Sequence, residues 1–163
     1  MLSEKQLANR LLIAKASVEC EKDTGFPAEL SAAQAIVESG WLMFLPPDSN
    51  NCFGIKDTDR YPGAVYTMTH EWRQGKLVPE KHAFEKYPSL RECFVDHAWL
   101  IMKGRPYKVA WFQYQEDHDL FQLIRSISPK YAPNNPTYIP LVTKIANDKE
   151  LIKIIKEFRD AKA

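Results

Sequence analysis

A chain that reads AELSAAQAIVES at residues 28–39 has few ways to fold. Thr24-Gly25-Phe26-Pro27 precedes the stretch as a loop, with proline at the first helical position, and Gly40 closes it. The apolar residues between fall on more than one helical face: Leu30, Ala33 and Val37 on one, Ala32 and Ile36 on another. A helix of that kind must be packed on more than one side, so the spacing predicts a buried central helix.

The remaining periodicity supplies its surroundings. Ser3 and Gln6 form a capping-box pattern ahead of Leu7, Leu11, Ala14 and Val18, which predicts an amphipathic helix from residue 3 to about 21. Between Pro46 and Pro88 the chain turns to Pro, Gly, Asn and Asp with two β-prone runs, AVYTMTHEW and KHAFEKY, separated by RQGKLVPE. These predict a small antiparallel hairpin lobe at about residues 57–88. Ser89-Leu-Arg-Glu92 is a second capping box, opening a helix with Phe94, Ala98, Ile101 and Met102 that Gly104 stops. Helices are predicted at about 106–114 and 117–127, then one broken helix or two, the last showing Leu151, Ile154, Ile155 and Phe158 at helical spacing. The class is α+β, mainly α. With no repeats or low-complexity linker, residues 1–163 read as one helical domain carrying a hairpin lobe.

Composition narrows the function. At 163 residues the chain can bury a core without a metal or disulfides. Lys and Arg number 22 against 21 Asp and Glu, which leaves no electrostatic footprint for nucleic acid or an anionic membrane. No apolar run is long enough to span a bilayer, and MLSEKQLANRLL lacks the unbroken apolar stretch of a signal peptide. Cys20, Cys52 and Cys93 are odd in number and scattered, without a C-x-x-C pair. His70-Glu71 starts like a zinc-protease motif, but position 74 is Gln, and His70, His82, His97 and His118 have no ligand spacing. Neither metal nor organic cofactor is expected. Aromatic residues are 12% of the chain, which suits a groove that stacks on sugar rings, although core packing is their ordinary use.

Two carboxylates are the candidates for chemistry. Glu38 ends a helix otherwise made of apolar and small residues, and Ser39-Gly40-Trp41 follows at once. Burial, the negative end of the helix dipole and a neighbouring indole that excludes water would together hold it protonated near neutral pH, as a general acid for glycosidic cleavage requires. Otherwise it is an exposed Glu that simply ends the helix. Glu71, in Thr69-His70-Glu71-Trp72 of the hairpin, is either a solvated strand residue or the second carboxylate of a groove between two lobes.

Blocks in order along the chain, from Gln34-Ala35-Ile36-Val37-Glu38-Ser39-Gly40-Trp41 through Asn51-Cys52-Phe53-Gly54 to Tyr131-Ala132 and Tyr138, together resemble one family, the glucosaminidase domain of bacterial autolysins and of the flagellar rod muramidase, which has a lysozyme-like fold. Ala33-Gln34-Ala35-Ile36-Val37-Glu38-Ser39-Gly40-Trp41 is similar to the block around that family's catalytic Glu. Asn51-Cys52-Phe53-Gly54-Ile55-Lys56 resembles its N-x-F-G-I-K, and Thr69-His70-Glu71-Trp72 with Gly75 its hairpin T-x-E-aromatic. Phe84 with Tyr87-Pro88-Ser89, Asp96 and Tyr107 match further positions, and Lys130-Tyr131-Ala132 through Pro136 and Tyr138 resembles the closing Y-A-T-D-P-x-Y. The closing block departs by one extra residue, with Asn134-Asn135 where Asp is usual. After Trp41 the chain reads Leu-Met-Phe-Leu-Pro-Pro in place of small polar residues, so the groove beside Glu38 is expected to be more apolar.

The resemblance implies cleavage of the β-1,4 bond between N-acetylglucosamine and N-acetylmuramic acid in peptidoglycan, at the bacterial cell wall. Glu38 would be the general acid, Glu71 the second carboxylate and Tyr131 a residue of the catalytic groove. Trp41, Trp72 and Tyr138 would bind sugar, while Asn51 and Phe53 would shape the loop beside it. Lytic transglycosylase or muramidase action on the same polymer, a non-catalytic glycan-binding role and a cell-wall cysteine peptidase or amidase remain as alternatives. Nothing in the sequence sets the oligomeric state.

Overall fold

The computed structural model describes residues 2–161, the side chains of Glu71, Trp72 and Arg73 excepted. The first helix, α1 (Glu4–Thr24), opens with the predicted capping box: the Ser3 hydroxyl accepts from Gln6 N–H at 3.2 Å and the Gln6 amide oxygen accepts from Ser3 N–H at 2.9 Å. The predicted apolar stripe is buried only in its second half. Ala14 and Val18 are inside, whereas Leu7 and Leu11 stay half exposed, so α1 is packed along its C-terminal part.

The central helix α2 (Ala28–Ser39) is buried at nearly every position from Ala28 to Ile36. Its alanines allow backbones to approach on several sides, and α1, α6 (Tyr138–Ala146) and α7 (Lys149–Asp160) pack against it. Pro27 caps α2 one residue ahead of the predicted position, where its missing N–H costs nothing.

The hairpin pairs β1 (Val65–Arg73) with β2 (Lys76–Phe84), from Val65 opposite Phe84 to Arg73 opposite Lys76. The second strand therefore begins five residues before the predicted KHAFEKY run. Gln74 and Gly75, both at positive φ, close a two-residue turn whose twist suits a hairpin. Pro79 does not break β2 because a two-stranded ribbon consists only of edge strands.

Helices α3 (Leu90–Lys103), α4 (Lys108–Asp117) and α5 (Leu120–Tyr131) complete the body. The last two run past their predicted ends. Pro129 leaves only the Arg125 carbonyl without a helical donor, and Arg125 is exposed to water. The expected broken terminal helix is two helices, with Asp148 capping Leu151 N–H at 2.9 Å to start α7. The fold is thus mainly α with a small antiparallel hairpin, as the periodicity predicts.

Arg159 fastens α7 to the centre with four contacts of 2.6–2.7 Å to Glu21 of α1 and Glu29 of α2. Arg159→Ala is expected to lower unfolding free energy by about 1–2 kcal/mol, because solvent screens a pair at this exposure. Urea denaturation checks this, with the slope unchanged.

Candidate active site

The turn after α2 puts Glu38 at the protein surface. Gly40, Trp41 and Leu42 all have positive φ (55°, 65° and 59°), a left-handed bend that non-glycine residues adopt only when held. Ser39 does the holding. Its hydroxyl donates to Ala35 C=O at 2.6 Å and accepts from Leu42 N–H at 2.8 Å, while its carbonyl accepts from Met43 and Phe44 N–H. Gly40 is required twice over, by its φ and by the Phe44 ring, which would lie 2.7 Å from an added Cβ.

Two hollows of about 530 and 550 Å³ adjoin at Glu38 and Gly54. The first lies between Met43–Pro46 and the hairpin residues Thr67, Met68 and Thr69. The second is bounded by Lys56 and Arg60 on one side and by Tyr107, Tyr131 and Tyr138 on the other. Among the described residues Glu38 is the only carboxylate lining either half. The apolar segment after Trp41 forms a wall of the first hollow, as its composition predicts, and Phe44 stands 81% exposed there.

Glu38 keeps solvent access along the groove, yet the protein crowded around it strips enough hydration to raise its carboxyl above the ordinary value. A hydrogen bond from the Tyr138 hydroxyl opposes this rise without cancelling it. Tyr138 is itself set by Gln34, one turn before Glu38 on α2, whose Nε2 donates to the phenolic oxygen at 3.1 Å. With its oxygen accepting from Gln34, the Tyr138 hydroxyl keeps its proton available to Glu38. Gln34 is fully buried and its amide oxygen has no hydrogen-bond partner, an arrangement that disfavours folding by about 1–3 kcal/mol. A polar residue on an otherwise apolar buried helix was the signal in the sequence; its role required knowing that α6 brings Tyr138 opposite.

The predicted site residues separate into those that meet at the groove and those that do not. Tyr131 and Tyr138 line the second hollow with Glu38, their rings 5.7 Å apart. Trp41 lines neither half: its ring lies 5.5 Å from the Arg10 guanidinium carbon, and its carbonyl accepts from Asn9 at 2.7 Å. The left-handed turn swings it back onto α1, away from the lining of both hollows. Asn51 lines the first hollow, but its amide is spent on the loop. It donates to Ile55 C=O at 2.8 Å and Glu85 C=O at 3.0 Å and accepts from Ile55 N–H at 3.0 Å. Phe53 stacks on His97 at 3.7 Å and is mostly core. Glu71 and Trp72 lie in β1 opposite Val78 and Leu77, and their side chains are outside the described residues.

Three other matched positions hold loops and helix ends, and two of them, Tyr107 and Asn135, also line the second hollow. Asp96 accepts from Tyr87 at 2.6 Å and from both Arg60 terminal nitrogens, pinning the segment before the hairpin to α3. Asn135, where Asp is usual, turns onto Thr137 N–H and hydroxyl at 3.1 and 2.8 Å. Tyr107 caps α4 and lines the second hollow. Among the described residues no cluster of His, Cys, Asp and Glu could hold a metal.

The fold is shared with solved domains of peptidoglycan-hydrolase and autolysin proteins. The catalytic domain of the autolysin Auto from Listeria monocytogenes superposes with a TM-score of 0.77 at 21% identity, over 94% of this chain and 89% of that one. The glycoside hydrolase domain of Salmonella typhimurium FlgJ gives 0.64 at 26% identity, over 96% and 92%.

The chain belongs to the glucosaminidase family, described as mannosyl-glycoprotein endo-beta-N-acetylglucosaminidase, whose profile matches residues 14–158. It is 39% identical over 90 residues to an autolysin of Enterococcus faecalis, covering 53% of this chain and 12% of that protein. It is 28% identical over 137 residues to the peptidoglycan hydrolase FlgJ of Pseudomonas aeruginosa, covering 80% and 34%. It is 35% identical over 105 residues to the exo-glucosaminidase LytG of Bacillus subtilis, covering 63% and 36%. The matched region thus spans between about a tenth and about a third of these relatives.

Because Glu38 holds its proton more tightly folded than unfolded, its contribution to stability is full below about pH 4.5 and is lost as pH rises through the elevated folded value. Glu38→Gln removes that charge and keeps an acceptor for Tyr138. The variant is expected to melt above wild type at pH 7 and level with it near pH 4, read from thermal melts across that range.

Proposed function

We propose that this chain is a glycoside hydrolase of peptidoglycan that cleaves the β-1,4 bond between N-acetylglucosamine and N-acetylmuramic acid. The observation that carries the reading is Glu38, a carboxyl with a raised pKa at the junction of both halves of a groove. A glycan strand lying along the groove would place one glycosidic oxygen over this group. Glu38 protonates the leaving oxygen, and the Tyr138 hydroxyl then stabilises the carboxylate left behind. The relatives' names, autolysin, peptidoglycan hydrolase and exo-glucosaminidase, support the polymer as substrate and the cell wall as the place of action.

Glu71 is the second carboxylate of this proposal, activating water or stabilising the oxocarbenium charge. Position 71 follows Thr67, Met68 and Thr69 along β1, three residues that line the first hollow. Phe44 supplies apolar surface for sugar on that side. The described residues work as one catalytic domain, without metal or cofactor. Muramidase action is the second reading, favoured by 30% identity over 106 residues to a probable N-acetylmuramidase of Lactococcus lactis, covering 61% of this chain and 24% of that one.

Digestion of purified sacculi, with fragments identified by mass spectrometry, tests the proposal. Wild type should release reducing-end N-acetylglucosamine, and Glu38→Gln, shown to be folded, should be slower by at least about a hundredfold. Reducing-end or anhydro-muramic acid would move the cleavage to the other bond, and no release by folded wild type would overturn hydrolysis. Since the acid must be protonated, kcat/KM should fall as pH rises through the Glu38 pKa, above the usual carboxyl range. Glu71→Gln should slow turnover comparably; near-normal turnover would assign the second role to the substrate's N-acetyl group.

A further inference from the structure

Behind Tyr131 lies a histidine that the chemistry above does not use. His97, on α3, is 1% exposed, and its Nε2 sits 2.9 Å from the Tyr131 hydroxyl oxygen. Its ring is clamped: Phe53 stacks on it at 3.7 Å and 9°, and Phe26 meets it edge-on at 6.2 Å and 84°. Its other nitrogen, Nδ1, is buried without any hydrogen-bond partner.

We infer that His97 is a positioning residue for Tyr131: as the Nε2–H tautomer it donates to the phenolic oxygen and leaves the Tyr131 proton free for a sugar oxygen in the groove. The two tautomers differ in what they leave unsatisfied. With the proton on Nδ1, Tyr131 would donate inward and a buried N–H would face no acceptor, the kind of orphan that folded proteins avoid most strictly. With the proton on Nε2, the bond to Tyr131 is kept and the unsatisfied atom is an aromatic lone pair. Burial pushes the imidazole pKa down to about 3, so His97 stays neutral and the choice is between these two forms alone.

The consequence concerns the groove. Tyr131 and Tyr138 stand side by side in the hollow that Glu38 shares. Each has an oxygen occupied from behind by a buried donor, His97 for one and Gln34 for the other. Tyr138 spends its proton on Glu38, which leaves the Tyr131 proton as the one directed at substrate. A hydroxyl oriented before substrate arrives stabilises charge on a sugar or N-acetyl oxygen without reorganising in the transition state.

The tautomer can be read without substrate, by long-range 15N–1H correlation on the wild-type imidazole. Protonated Nε2 and bare Nδ1, unchanged from pH 8 to pH 5, are expected; the opposite tautomer overturns the inference even if peptidoglycan is cleaved. The role in turnover rests on the proposed hydrolysis and is tested with His97→Phe, His97→Gln and Tyr131→Phe on soluble glycan fragments. His97→Phe should lower kcat about tenfold with KM nearly unchanged, as expected for one lost hydrogen bond. His97→Gln, which keeps an N–H near the Nε2 position, should recover most of it. Adding His97→Phe to Tyr131→Phe should slow turnover no further. Losses that instead follow melting temperature, equal for Gln and Phe, would make His97 a core residue only. If wild type cleaves no glycan, the hydrolase reading fails and the NMR result alone decides the tautomer.

Discussion

The burial of α2 on several sides sets the terms for everything around it. A helix with Ala28, Ala32, Ala33 and Ala35 in its interior turns lets neighbouring backbones come close, and α1, α6 and α7 take up those positions. Such packing leaves no solvent for polar groups, so the three polar residues inside α2 each need a reason. Ser39 binds Ala35 and the next turn, and Gln34 binds Tyr138. Ser31 is buried with no hydroxyl partner, and nothing in its surroundings explains it. Because α2 is rigid and central, the residue at its end is held in a fixed place at the groove.

Several costs to stability collect around Glu38. Three consecutive left-handed residues follow it, a buried amide lies one turn before it, and its own carboxyl is partly desolvated. The strained turn and the unpaired amide oxygen each oppose folding by about 1 kcal/mol or more. That local rules are broken together at one point, within a helix otherwise built to pack, is the physical mark of a functional site. Two tyrosines of the adjoining hollow, each backed by a buried side chain, turn this expense into directed hydrogen-bond donors.

The second wall is built differently. The hairpin exposes Tyr66, Met68 and Leu77, and its base is tied to the neighbouring loop. There Lys56 bridges to Phe84, Asp57 N–H donates to Ala83 C=O and Glu85 N–H to Ile55 C=O. Burial alone would raise the Glu85 carboxyl, but hydrogen bonds from Thr58 and the charge of Arg60 bring it below its usual value. Asn51 and the Arg60–Asp96 pair thus secure the groove floor and the start of the lobe from opposite ends.

Much of this was legible in the residues themselves. Local rules determined the capping box of α1, the burial of α2, the presence of a hairpin, the break before α7 and the prominence of Glu38, because each depends on neighbours a few positions away. Boundaries slipped near two prolines: β2 runs through Pro79 and α5 through Pro129. The groove itself was settled by contacts across the chain. Whether Trp41 faced sugar or α1 depended on the hand of one turn, and Asn51 became a loop staple once Glu85 lay beside it. Gln34, His97, Tyr131 and Tyr138 come from four different helices, and their hydrogen bonds exist only because α2, α3, α5 and α6 converge. Sequence spacing records periodicity along one element; which hydroxyl meets which carboxylate is decided by how the elements pack.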